Sequence, residues 1–236
     1  MPIPIDPLPK FVILLERDPR RVKNVRENIL STLPECQIIP AVDGKTLTTS
    51  VARSEVSKKV WTRLGPFKLA CLLSHRTALE LVVKKRLPHA IIFEDDVSVP
   101  ASFNKQLELV LSELPDDCEH LYLYTHPKHR HQDDTPFLLP GKRHVRKYSY
   151  TYCNIAYLVS FDGAKKLVHH LSQPYDFSDF MFNDLISNGG LKTYMSRASL
   201  IENRGQLTDK PDKQPLPSNI FQPPSLWNKV RKKLHL

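Results

Sequence analysis

The chain has 236 residues, with 34 Lys and Arg against 25 Asp and Glu, for a formal net charge of +9. That length suits one sizeable domain, and 41% hydrophobic with 25% charged residues excludes a disordered or fibrous chain. The basic balance favours anionic partners. No zinc-finger spacing and no aromatic RNP-like strand is present, which argues against nucleic acid and for an anionic substrate or membrane surface.

The leader, residues 1–9, holds prolines at 2, 4, 7 and 9 and is expected to be extended. It has no basic n-region and no apolar h-region, so no signal peptide is expected. Phe11 to Leu15 reads as a first strand. Asp18-Pro19 opens a helix whose apolar positions Val22, Val25, Ile29 and Leu30 leave Arg20, Arg21, Lys23 and Arg26 on the wet side. Cys36 to Val42 reads as a second strand closed by the turn Asp43-Gly44. Leu64-Gly65-Pro66 begins a strongly apolar helix that ends near Lys84-Lys85-Arg86, before Pro88. Residues 90–97 form a strand, and Phe103 to Leu114 a further amphipathic helix. Leu121 to Tyr124 and Tyr150 to Ser160 read as strands, with a helix from Asp162-Gly163 through Leu171. Strands alternating with helices indicate an α/β fold with a mainly parallel, Rossmann-like sheet. Residues 1–225 read as one domain, and 226–236 as a short C-terminal appendage.

The segment Ala90-Ile91-Ile92-Phe93-Glu94-Asp95-Asp96-Val97 carries the most chemistry. An apolar run feeding three carboxylates reads as a buried parallel strand opening into a crevice at its carboxyl end, where open α/β sheets bind ligands. If the strand continues, Glu94 and Asp96 share one face and Asp95 takes the other. Such a pair suits a hard divalent cation, Mn²⁺ or Mg²⁺, that in turn holds a diphosphate. An acidic turn that merely ends a strand is the plain alternative. The seven glycines form no phosphate-binding loop, which leaves that work to a metal and basic side chains.

Other constellations are weaker. His126, His129, His131 and His144 lack zinc spacing, and a basic loop over an anionic substrate or a solvated loop explains them as well. Ser74-His75 is not a nucleophile–base pair, because adjacent helical residues do not face each other, but His75 on its helix is free to face the crevice. Asp176, Asp179 and Asp184 lie in an aromatic-rich stretch, where a carboxylate serves either as a base or, like Asp176 and Ser178, as a helix cap. Cys36, Cys71, Cys118 and Cys153 are scattered and read as free thiols. Leu226, Trp227, Val230 and Leu234, interleaved with four Lys/Arg, suit a basic amphipathic helix on anionic lipid or one docked on the domain.

Five segments, in order and spacing, resemble glycosyltransferase family 25: Phe11–Arg17, Ala41-Val42-Asp43-Gly44, Cys71-Leu72-Leu73-Ser74-His75, Ile92–Val97, and Tyr157-Leu158-Val159-Ser160 with Gly163-Ala164-Lys165-Lys166-Leu167. The resemblance implies a GT-A-like fold, a UDP-sugar donor and a divalent metal (Mn²⁺ or Mg²⁺) at Glu94 and Asp96. It also implies inverting transfer of a hexose, galactose first, to a glycan or lipooligosaccharide acceptor. Donor-side positions are then Leu15, Arg17, Asp43, Gly44, His75 and Asp95, with Asp176 as catalytic base. Placement on the cytoplasmic face of a bacterial inner membrane, held by the basic tail, is the corresponding expectation. The chain departs from the family pattern at Phe67-Lys68-Leu69-Ala70, where a Lys replaces a typical Glu and an Ala a typical Gly, and at Asn154-Ile155-Ala156. A non-catalytic glycan- or anionic-polymer-binding protein on the same scaffold is the alternative.

Overall fold

The computed structural model describes residues 3–4, 6–47, 56–125, 137–148, 151 and 153–205. The expected C-terminal appendage, the histidines at 126, 129 and 131 and most of the segment around them lie outside the described residues.

Among those residues the chain forms a seven-stranded sheet in the order β2-β1-β3-β7-β5-β8-β6. The strands are β1 (Lys10–Leu14), β2 (Gln37–Pro40), β3 (His89–Glu94), β5 (His120–Tyr122), β6 (Val145–Lys147), β7 (Ala156–Ser160) and β8 (Thr193–Ser196). A separate antiparallel pair joins β4 (Val97–Ser98) to β9 (Glu202–Asn203). β1 is parallel to both β2 and β3, and β5 is parallel to β8. β7 runs antiparallel between β3 and β5, and β6 antiparallel at the edge. Five strands therefore point one way and two the other. The large sheet is mostly parallel, as expected, with β7 as an interruption that the apolar run at 156–160 does not announce.

Alternation along the strands feeds two cores. Val12, Leu14, Ile91 and Phe93 face α1 (Pro19–Asn28) and α3 (Phe103–Ser112). Phe11, Ile13, Ala90 and Ile92 face α2 (Lys58–Lys84), α4 (Phe161–Leu171) and α5 (Ser178–Ser187). Both faces of the sheet are thus covered, the arrangement that continuous apolar strands require. Local signals set the helix starts. The Asp18 carboxylate accepts from Arg20 N at 2.9 Å with Pro19 in the first turn, and Ser160 Oγ accepts from Gly163 N at 3.1 Å. Gly163 is required, because a Cβ there would lie 2.2 Å from the Glu119 carbonyl oxygen.

Several expected boundaries move. α2 starts at Lys58 rather than at residue 64. Gly65, at φ 64°, breaks it, and Pro66 starts the second part. β2 covers only residues 37–40, and β7 begins at Ala156, not at residue 150. β3 ends at Glu94, and Asp95-Asp96 make a turn. The extended geometry that would put Glu94 and Asp96 on one face is therefore not the one adopted. No described helix is long and apolar enough to cross a membrane.

Candidate active site

β1 is the switch point of the sheet: the chain passes from β1 to β2 on one side and returns as β3 on the other. A crevice at the carboxyl ends of strands is expected there. A cavity of about 240 Å³ occupies the position. Leu15 and Arg17 enter it from the end of β1, Ala41, Val42 and Gly44 from the end of β2, and Glu94 and Asp95 from the end of β3. Phe67, Cys71, Ser74 and His75 close it from α2, and Arg21 from α1.

The rim is built by short polar ties. Ser74 Oγ accepts from Val42 N at 2.8 Å and donates to the Ala70 carbonyl at 2.7 Å, which fixes the exit of β2 against α2. Asp43 pairs with Arg17 at 2.6 Å and accepts from Lys45 N at 2.8 Å. Burial pushes the Asp43 carboxyl up, but Arg17 and Lys45 outweigh it and hold the pKa below the usual value. Gly44 has a steric reason: a Cβ would lie 2.7 Å from Phe67 Cδ1 and 3.0 Å from Phe67 Cα.

The three acids at 94–96 do three different things. Asp95 is buried, and both its carboxylate oxygens are taken: Oδ2 accepts from Leu15 N at 2.8 Å, and Oδ1 pairs with Arg21. Arg21, expected on the wet side of its helix, is turned inward by this pairing. Asn24 Nδ2 donates to the Asp95 and Val97 carbonyls, each at 2.8 Å, and Arg204 N donates to the Asp96 carbonyl at 2.7 Å. The turn is thus clamped from both sides. Asp96 is also buried, but its Oδ1 has no partner. Burial first, then the Glu94 and Asp95 charges, pushes its pKa up to about 7.

Glu94 reaches the cavity and meets His75, whose Nε2 lies 3.0 Å from Glu94 Oε1. His75 Nδ1 lies 3.1 Å from Tyr157 Oη, so both ring nitrogens of this buried histidine are engaged. Burial pulls the His75 pKa down, yet Tyr157, Cys71 and Glu94 together raise it well above 6.5. Cys71, one helical turn before His75, opens onto the cavity, with Ser178 Oγ 3.6 Å from its Sγ.

The structure brings Leu15, Arg17, Gly44, His75, Glu94 and Asp95 to one cavity. Asp43 does not line it and is tied to it through its pair with Arg17. Asp96, next in the turn after Asp95, lies outside the lining but feels the Glu94 and Asp95 charges. Asp176 is buried to the side, paired with Arg63 and accepting from its own neighbour Phe177 N at 2.9 Å. Asp179, in the first turn of α5, belongs to the acid cluster instead. Burial pushes its pKa up to about 6, with a further push from Glu94 against a pull from His75. Sequence reasoning noticed Asp179 among aromatics but had no signal to prefer it. It missed Arg21, Asn24 and Tyr157 as site-building residues, because their partners lie 71 or more residues away.

The turn holds carboxylate oxygens, the donor type that hard divalent cations take. One of them, on Asp96, is buried and unpartnered, and the Glu94 and Asp95 charges beside it push its pKa up despite Arg21. A pH prediction follows for the metal-free protein. Burial and the neighbouring Glu94 and Asp95 charges push the Asp96 carboxyl up from the ordinary carboxylate range to about 7, so its stabilising contribution is full below about pH 4 and lost as pH rises through 7. Asp96→Asn removes that dependence. The variant should match the parent in Tm at pH 4 and exceed it by a few degrees at pH 7.5. Thermal melts in EDTA at the two pH values check this, and equal differences at both would contradict it.

A sequence profile described as glycosyltransferase family 25 (LPS biosynthesis protein) matches residues 8–182. A Bos taurus protein named "probable inactive glycosyltransferase 25 family member 3" is 32% identical over 179 residues, which cover 70% of this chain and 29% of that protein. The Mus musculus "inactive glycosyltransferase 25 family member 3" is 29% identical over 204 residues, covering 78% and 33%. The Homo sapiens "procollagen galactosyltransferase 2" is 27% identical over 164 residues, covering 63% and 26%. The chain spans about a third or less of the length of these relatives.

Proposed function

The chain belongs to glycosyltransferase family 25, and from that premise we propose that it is an inverting transferase, moving a hexose, galactose first, from a UDP-sugar to a saccharide hydroxyl. The observation that carries the reading is the acidic turn at the end of β3: Glu94 and Asp95 line the cavity at the sheet's switch point, and the next residue, Asp96, keeps one carboxylate oxygen buried without a partner.

The chemistry required is displacement at the anomeric carbon. The acceptor oxygen forms a new bond to that carbon while the bond to the diphosphate oxygen breaks, and UDP leaves with the electron pair. A divalent ion held by Glu94 and Asp96 would supply neutralisation of the diphosphate charge. The chain's own residues do the rest. Arg17, steadied by Asp43 at the rim, offers positive charge to the donor. His75, fixed between Tyr157 and Glu94, holds Glu94 in place. A base must take the acceptor's proton. The pair Asp176 and Asp179 at the start of α5 provides it, and Asp179 is the member in electrostatic reach of Glu94 and His75. A GT-A-type scaffold, Mn²⁺ or Mg²⁺, and a lipid-linked glycan acceptor complete the reading. They rest on the sequence resemblance.

Relatives named as inactive support a second reading, a scaffold that binds glycan without turnover. A panel of UDP-sugars with Mn²⁺, read by release of UDP, separates the two. The transferase reading expects Mn²⁺-dependent release, strongest from UDP-galactose and abolished by EDTA. Donor binding with no release from any sugar would establish the binder instead.

A further inference from the structure

Beside the oxygen-rich turn lies a cluster of different chemical character. We propose that Cys71, His75 and Glu94 form a binding site for a soft transition-metal ion, Zn²⁺, entering from the cavity. Their three ligand atoms already lie within 4.8 Å of one another. Cys71 and His75 stand four residues apart on α2 and so share one helix face. Glu94 meets them from the end of β3.

The distances suit tetrahedral zinc. With bonds of about 2.0–2.1 Å to nitrogen and oxygen, two such donors sit roughly 3.3 Å apart. His75 Nε2 and Glu94 Oε1 are 3.0 Å apart, so a small separation admits the ion. With a bond of about 2.3 Å, a thiolate would lie roughly 3.6 Å from each of the other donors, closer than the outer limit of the present cluster, and a rotation of an exposed side chain supplies the approach. The outer contacts are in place as well. Ligating histidines hold their second ring nitrogen in a hydrogen bond that sets the ring's orientation, and Tyr157 Oη stands 3.1 Å from Nδ1. The cavity leaves the fourth position to water.

Sulfur and imidazole nitrogen favour zinc over magnesium or manganese, so this site is chemically distinct from the one assigned to Glu94 and Asp96. The two share Glu94. Zinc therefore antagonises the hard ion, a consequence that rests on the transferase reading, whereas zinc binding itself does not.

Cobalt tests the site on the full chain, stripped of metal with EDTA. One equivalent of Co²⁺ should give a thiolate-to-cobalt charge-transfer band with the visible bands of tetrahedral geometry, and Zn²⁺ should erase both. Cys71→Ser, at an exposed position, should lose the charge-transfer band while keeping the parent's circular dichroism. Tyr157→Phe should weaken Zn²⁺ binding by about 10–100-fold. Cys153→Ser should keep the parent's band. A folded parent that gives no band, or a band that survives Cys71→Ser, would overturn the proposal. Failure of UDP release with the band intact would overturn the transferase reading and leave this site standing.

Discussion

Glu94→Gln and Asp96→Asn should each lower Mn²⁺-dependent UDP release by at least about 100-fold, with the fold intact. Both substitutions keep side-chain volume and remove only charge and oxygen donors. Asp96 is the sharper case. Its Oδ1 is buried without a partner, and burial with the neighbouring acids makes its charge unfavourable in the metal-free protein. A group kept in that state weakens the fold at neutral pH, so the neutral isostere should be as stable as the parent or more so. The combination of lost turnover with equal or higher Tm separates a functional acid from a structural one. Turnover within threefold of the parent in both variants would remove the acidic turn from the chemistry. For Glu94 the loss has a second component, because Gln ends the charge-assisted contact with His75 and leaves that buried ring with a weaker partner.

The parts of this site that were legible in the sequence are those with a local signature. The apolar run into Glu94-Asp95-Asp96 announces a strand end and Asp18-Pro19 a helix start, and each appears within a few residues of its expected place, whereas Leu64-Gly65-Pro66, read as a helix start, proves to be a kink inside a helix begun at Lys58. What was not legible depends on pairing across the chain. The expected alternation of Glu94 and Asp96 fails because Asn24, Leu15 and Arg204 offer the chain a turn stabilised by hydrogen bonds from three distant segments. The inward aim of Arg21 is invisible in a helix read alone, since its partner is 74 residues away. β7 reads as an ordinary apolar strand, and only its register with β3 and β5 makes it antiparallel. Strands β8 and β9 were not expected, and α5 was touched only by the reading of Asp176 or Ser178 as a cap, whereas Phe177 takes the N-cap position with no side-chain cap hydrogen bond.

Asp95→Ala should destabilise the protein by about 3–5 kcal/mol, the range for breaking a buried pair by removing one partner. Asp95 and Asp96 are adjacent and both buried, yet the consequences of changing them are opposite. The Asp95 carboxylate joins three elements: it accepts from Leu15 N after β1, pairs with Arg21 of α1, and sits at the end of β3. Its removal leaves the Leu15 N–H without that acceptor and the inward-turned Arg21 without its charge partner. Arg21 cannot easily substitute Asp18, whose Oδ2 lies 3.9 Å from Nε and already pairs with Arg20 at 2.7 Å. For a chain of this size the expected fall in Tm is roughly 6–20 °C. Asp95→Asn should cost less, because the amide oxygen still accepts from Leu15 N. Burial raises the Asp95 pKa despite Arg21 and Leu15, so neutralising the group also recovers some desolvation. Urea unfolding gives the order: parent, then Asp95→Asn, then Asp95→Ala. An Asp95→Ala protein within about 1 kcal/mol of the parent would show that Asn24 and Arg204 hold the turn without the carboxylate. The predicted order instead makes Asp95 the clamp that lets Asp96 keep an unpaired charge next to Glu94, so two neighbouring residues of one type divide stability and chemistry between them.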